Sequence, residues 1–461
     1  MEGLASIRKI NHYKGDNLMN IQKTKLAIGV AAGLGLLVAS TGAMAINTGT
    51  DLNLTAKARA GGMAGAAYTM PQEASAAVFG NPATLTQFKG INMNFGASLL
   101  SLQAVEAKTS TVSTGDVRWS NTAHSDADNY IVPDFGFTYE VTPNLVLGTG
   151  LEVDALQGVD YRDDLVSFTS SGVFDVDFVI ELISLNTNLA AAYQASEKLS
   201  IGASVTVGFG LAQLGTASTT SSVHDIGFGG SIGATYAIDN GIMSSLTVKS
   251  PVRYNFKNIL HNDGDSSVHQ DLTLEQPLEI IAGIALDDVL ADGLLVEADV
   301  IWKNWANAEA YQDVHDDQFL IALGAQYKSG KWAYRAGYSF AENMLLNETN
   351  DTIGSFATIG SVPFTAEVVK TLQVSLLPVI WQHTITVGVG YNITETISMD
   401  AYAAYAFGEE YSTGSRPATV AFYKALNGGT EPGGDGNLES LELEAQVDYE
   451  LMVGVGINLS F

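Results

Sequence analysis

The chain has 461 residues, 47 of them glycine and none cysteine, and carries 22 Lys+Arg against 50 Asp+Glu for a net charge of −28. So acidic a chain has no means of neutralising a row of phosphates, which excludes nucleic acid as a partner. The lack of cysteine excludes disulfide scaffolds, thiolate zinc sites and cysteine nucleophiles, and 46% apolar content suits neither a polytopic helical membrane protein nor a disordered chain.

The N-terminus reads as an export signal. Lys23 and Lys25 precede an apolar run from Leu26 to Ala39, and the segment closes on Ala43-Met44-Ala45, a small-x-small cleavage site. The run is shorter than the roughly 20 residues a spanning helix needs. Residues 1–45 are assigned to a signal peptide, with Met19 as the working start. Its removal takes away five basic and two acidic residues and moves the net charge to −31.

Residues 46–90 show no alternation and are rich in small residues, as in Ala60-Gly61-Gly62 and Ala66-Ala67. Asn81 before Pro82 predicts a helix start, with Asn as the cap and Pro at the first helical position. From residue 91 the pattern has period two. Leu199, Ile201, Ala203, Val205 and Val207 alternate with Ser200, Gly202, Ser204, Thr206 and Gly208. Such alternation gives a strand one apolar face and one small or polar face.

Fourteen such runs reach the C-terminus, among them 132–141, 145–157, 199–212, 242–256, 270–286 and 444–460. Their connections alternate long and short: 104–131 is followed by Thr142-Pro143-Asn144, and 158–180 by Ser196-Glu197-Lys198. An even count of long antiparallel strands with short turns at one end is the plan of an outer-membrane barrel. Strands of ordinary globular sheets average about six residues. The predicted fold is therefore all-β, a transmembrane antiparallel β-barrel of about 14 strands over 91–461, with its apolar face turned to lipid. Residues 46–90 form a small helical hatch plugging the lumen, because fourteen strands enclose more space than wall side chains fill. The chain ends on a strand closing with Phe461, and Trp302, Trp305, Trp332 and Trp381 are expected in an interfacial girdle near strand ends.

Glu73–Leu85, with Asn81-Pro82-Ala83 at its centre, resembles the hatch signature of the long-chain fatty acid and hydrocarbon transporter family of outer-membrane proteins (FadL/TodX type). Leu246–Lys257 is similar to that family's strand with a basic-Ser-Pro-Val core, Leu272–Pro277 to its next strand, and Trp302-Lys303-Asn304-Trp305 to its tryptophan-bearing strand. The resemblance implies a monomeric barrel of the bacterial outer membrane that takes up hydrophobic compounds passively through an opening in its wall. It implies that Asn81, Pro82 and Ala83 anchor the hatch and that Phe79 and Leu85 face the ligand. In the family the third strand is kinked at a glycine to make the opening; the matching position is Gly158, with Leu156 and Val159 lining the gap. The plainer reading is that Gly158 begins a loop. Some members place a cation at the luminal end of the fifth strand, where this chain reads Phe209-Gly210-Leu211-Ala212-Gln213. Its absence speaks against a carboxylate-specific pocket and leaves neutral alkanes and aromatics open beside fatty acids, and the apolar stretch within 342–379 is a further candidate for docking substrate.

Other chemistry finds little support. The seven histidines do not cluster, and His261 and His269 lack a recognised ligand spacing. Acidic runs at Asp313–Asp317 and Glu439–Glu444 read as solvated loops. No hydrolase motif occurs. The expectation is a transporter and not an enzyme, with no metal and no cofactor, whose partners are hydrophobic small molecules and the lipid and lipopolysaccharide around it. A general aqueous porin and an enzyme with its site at the barrel rim are the alternatives.

Overall fold

A computed structural model describes residues 52–113, 116–127, 129–167, 175–176, 178–216, 222–261, 269–312, 315–344, 357–359, 362–364, 381–413 and 441–461. The signal peptide, most of 342–379 and parts of both acidic runs lie outside the described residues. The wall strands are β1 Ile91–Ser113, β2 Asn129–Thr142, β3 Leu145–Asp160, β4 Phe178–Gln194, β5 Leu199–Thr216, β6 Ser222–Asp239 and β7 Ile242–Lys249. They continue as β8 Glu279–Asp287, β9 Leu294–Lys303, β10 Gln318–Ser329, β11 Trp332–Ala341, β12 His383–Asn392, β13 Ile397–Thr413 and β14 Leu441–Ser460. Each pairs antiparallel with its neighbours in chain order, and β1 pairs with both β2 and β14, which closes a fourteen-stranded barrel among the described residues. The seam is tied at the end bearing the short turns, where Ile91 and Phe461 exchange backbone hydrogen bonds of 2.8 and 2.9 Å.

The faces follow the alternation. Ile201, Val205, Val207, Ile232 and Val387 point outward and are exposed, as a lipid-facing wall requires, while Ser200, Ser204, Thr206 and Thr235 point inward and are buried. Trp332 packs against Tyr334 and Tyr391 beside a short turn, and Tyr193, Tyr236 and Tyr327 are exposed near the same end. These residues form the aromatic girdle. Trp305 and Trp381 are not in it: both are buried inside the barrel, because the segments that carry them turn inward above the wall.

Two expected strands are shorter than the alternation suggests. The run 242–256 breaks after Lys249, and 270–286 begins in the wall only at Glu279. Pro251 has no N–H for a ladder and ends the wall strand there. Val252–His261 and His269–Gln276 pair instead as a separate hairpin that folds into the lumen. Tyr254 and Phe256 are fully buried on the inner face of β5 and β6. A methyl group added at Gly210 would lie 2.7 Å from the Tyr254 ring, and one at Gly227 would lie 2.7 Å from Val252 Cγ1, so the hairpin seats only because these inward positions lack side chains.

Candidate functional site

Ahead of β1 the chain forms a compact hatch with α1 Ala58–Gly61, α2 Ala74–Phe79 and a 3-10 turn at Pro82–Gln87. Asn81 caps that turn, its side chain accepting from Ala83 N at 3.0 Å, with Pro82 at the first position. The same side chain donates to Tyr68 O at 3.1 Å and to Ala234 O of β6 at 3.5 Å. Gly202 and Gly233 face the motif, and a Cβ at either would overlap Pro82–Ala83 or the Asn81 side chain. Asn81, Pro82 and Ala83 thus dock the hatch on β5 and β6.

Charged contacts hold the remaining sides. Lys57 pairs with Glu152 of β3. Arg59 reaches Asp400 of β13 at 2.8 Å, and Arg335 of β11 meets the same carboxylate at 2.8 Å. Glu297 of β9 accepts from Thr69 N at 2.7 Å and Met70 N at 3.1 Å. Ser75 donates from its amide to Asn94 of β1 and from its hydroxyl to Asp134 of β2, at 2.7 and 2.8 Å. These residues escaped the sequence reading. The available signal was a carboxylate or cation at the inward phase of an alternating strand, as with Glu297 and Asp299 among Val296, Ala298 and Val300.

Phe79 and Leu85 lie in the apolar seam between hatch and wall. A Cβ at Gly150 would come 2.7 Å from Phe79 Cε2, and one at Gly148 would come 2.9 Å from Leu85 Cδ2. Both side chains are buried with Val78 and Val146, so they pack the plug rather than line open space. Leu156 and Val159 belong to a different cluster, which includes Leu52, Tyr130, Val132 and the inward-turned Trp305 and Trp381. Here Trp305 meets Tyr311 edge-on at 5.0 Å, and Tyr311 stacks on His315 at 5.1 Å. This is an aromatic-rich apolar cluster inside the barrel.

The wall beside this cluster has a gap in its strand pairing. β2 and β3 pair from Thr142↔Leu145 up to Asp134↔Glu152 and no further. Beyond that level Asn129–Pro133 pairs only with β1, and Val153–Asp160 only with β4. The register of β3 against β4 shifts between Val153 and Ala155, which leaves Asp154 as the extra residue of a bulge. Gly158 keeps regular pairing with Glu181, so the irregularity falls four residues before it. Past the bulge Ala155, Leu156, Val159 and Tyr161 are all buried irrespective of phase, as expected of a strand drawn inward. Leu52 N donates to Asp154 O at 2.8 Å, which joins the start of the described hatch region to the bulge. Above the gap the strands are bridged again: Asp126 N donates to Asp160 O at 2.8 Å, Asp160 N to Ser125 Oγ at 3.0 Å, and His124 Nδ1 lies 3.0 Å from Asp164. The unpaired stretch is thus framed below by the β2–β3 ladder and above by these contacts. On the other side of the hatch, toward the short turns, a cavity of about 340 Å³ is lined by Arg59, Gln72, Arg335, Asp400 and Asn458, a polar wall that offers apolar solutes nothing.

The sequence pattern of the outer membrane protein transport protein family (OMPP1/FadL/TodX) matches residues 35–353. The chain belongs to this family. It is accordingly a protein of the bacterial outer membrane. The barrel is similar to the toluene transporter TodX of P. putida, with a TM-score of 0.56 and 17% identity over 84% of this chain and 94% of that one. It is similar to a Pseudomonas aeruginosa FadL homologue at a TM-score of 0.60 and 12% identity, over 91% of this chain and all of that one. It is also similar to the Ralstonia pickettii toluene transporter TbuX at 0.56 and 18% identity, over 89% of this chain and 99% of that one. At such identities the likeness speaks for the fold. No curated protein sequence matches the chain.

Proposed function

We propose that the protein carries hydrophobic compounds from outside the cell into its luminal chamber and releases them sideways through the window between β2 and β3. The observation that carries this reading is the coincidence of the gap in strand pairing with the buried apolar cluster: Tyr130, Val132, Leu156 and Val159 flank the first and belong to the second. A sideways exit keeps an apolar solute out of water, where each CH₂ exposed costs about 0.8 kcal/mol. The hatch supports the same route, because its glycine-docked and ion-paired seams oppose passage straight through the lumen.

The bulge at Asp154, rather than Gly158, is the element that turns β3 inward. Leu156 and Val159 line the passage; Asn81, Pro82 and Ala83 fix the plug. The solutes include monoaromatic hydrocarbons and fatty acids, the substrates suggested by the family name and the toluene transporters it resembles. No chemical step is assigned to any residue. The reading is tested by loading proteoliposomes from outside with labelled toluene or oleate. Accumulation severalfold above protein-free vesicles is expected, and equal accumulation with and without protein contradicts it.

A further inference from the structure

The polar cavity on the short-turn side of the hatch, about 340 Å³, differs in charge from the rest of the protein. Its wall carries Arg59, Lys328 and Arg335 against Asp400 and Glu395, a positive surplus in a chain with 50 acidic residues and 22 basic ones. Lys328 and Glu395 are exposed at the rim, by the β10–β11 and β12–β13 turns, whereas Arg335 and Asp400 are buried at the floor. Short turns mark the periplasmic end of an outer-membrane barrel, so this cavity is entered from the periplasm.

Contacts at the floor bring two guanidinium groups to one carboxylate. Arg59 Nε donates to Asp400 Oδ2 and Arg335 Nη1 to Asp400 Oδ1, each at 2.8 Å, and Asn458 Nδ2 donates to Oδ2 at 3.0 Å. Arg335 Nε donates to Gln326 Oε1 at 2.8 Å. Its Nη2 makes no hydrogen bond among the described residues, although the residue is only 5% exposed. Ser398 Oγ accepts from Arg59 Nη2 and keeps its own hydrogen to donate. Glu73 accepts from the amides of Arg59 and Ala60 at 3.0 Å and does not line the cavity. Two guanidinium groups thus border the cavity with one carboxylate between them and a donor unused.

A buried donor without a partner is costly, and native proteins leave few of them. Water would satisfy the donor and leave the charge surplus as it is. A cation is opposed by that surplus, and a hydrocarbon gains nothing from a polar wall. A carboxylate supplies the acceptor and the charge together, and its plane matches the guanidinium fork. The volume is at the lower end of ligand pockets, which run from about 300 to 1,000 Å³, so the anion is small. We propose that this cavity binds small carboxylate anions of the periplasm, held by Arg335 of the wall and Arg59 of the hatch. Because one arginine belongs to each part, the bound anion ties the hatch to β11. The site is separate from the apolar route and does not depend on the transport reading.

The test uses the full-length mature protein in mild detergent at pH 7.5, with labelled succinate in a fixed background of sodium chloride. Equilibrium dialysis is expected to show saturable binding of one succinate per chain, displaced by acetate and unaffected by the same concentration of added chloride. Arg335→Gln removes the unused donor with its charge and is expected to weaken binding at least tenfold. Lys328→Glu reverses a charge at the exposed rim without touching the buried network. It is expected to weaken binding at least threefold with the unfolding midpoint unchanged, and it decides should the first variant fail to fold. In the native protein succinate is expected to slow hydrogen exchange at Gly61, whose amide bonds Lys57 O in the hatch, at least threefold. No saturable binding, displacement by chloride as strong as by acetate, or native affinity in both variants overturns the proposal. Saturable binding that leaves exchange at Gly61 unchanged overturns the tie between hatch and wall.

Discussion

At the residue scale the hatch is held by side chains that have few alternatives. Lys57 and Glu152 are both buried, and breaking such a pair by removing one partner costs about 3–5 kcal/mol because the other charge is stranded. Lys57→Met is expected to lower the midpoint of heat unfolding, read by the gel shift of the folded barrel, and Lys57→Met with Glu152→Leu to recover most of the loss. Equal midpoints for the single variant and the native protein would mean the pair contributes nothing. Asn81→Ala removes a cap worth about 1 kcal/mol, and should raise hydrogen exchange at Ala83 while leaving the wall strands protected. His124 sits between Asp164 and Glu106, at 3.0 Å from each, and its hydrogen bond to Asp164 raises its pKa above the ordinary 6.5. A raised histidine contributes its full stabilisation below pH 6.5 and loses it as pH rises through the higher folded value. The bridge above the window should therefore loosen from mildly acid to alkaline pH. Exchange at Asp126, corrected for intrinsic rate, should rise over that range in the native protein and show a flatter profile in His124→Gln.

At the element scale the unexpected part is the inserted hairpin. A strand lying on the luminal face has the same period two as a strand in the wall, so Val252, Tyr254 and Phe256 continue the phase of Leu246 and Val248 with only Ser250 between them. Pro251 was the one local signal, and it marks where pairing stops rather than where the chain goes next. The bulge was similarly hidden. Glycine at 158 permits a bend, but the extra residue sits at Asp154, where β3 must stay in register with β4 above and below; a register is a property of two strands and no single segment reveals it. The barrel itself was legible because its alternation is local, and the hatch motif because Asn81-Pro82 makes its own cap. The ion pairs of Arg59 with Asp400, hundreds of residues apart, were not. Tyr254 fills the space over Gly208 and Gly210 and hydrogen-bonds Ser184 at 2.6 Å, so Tyr254→Ala should cost about 3–5 kcal/mol, the range for emptying a large aromatic site. A change below about 1 kcal/mol would show that the hairpin is not packed as described.

At the scale of the whole molecule the proposed route requires a barrel closed along its axis and open at its side. The many glycines are explained largely by close contact, since the hatch and the hairpin both need bare inward positions, and the low charge density by a wall that faces lipid. If the hatch blocks the axis, a protein lacking residues 46–90 should conduct ions in planar bilayers well above the native protein; indistinguishable traces would deny the plug. The side opening is tested most directly by closing it. Pro133 and Val153 are the first residues beyond the last β2–β3 pair, and the chain has no cysteine of its own, so Pro133→Cys with Val153→Cys places a disulfide across the lower edge of the window. The oxidised protein, with the bond confirmed by mass, is expected to lose at least nine-tenths of its uptake of labelled toluene and to regain it on reduction. Undiminished uptake through the oxidised protein would contradict the proposed route.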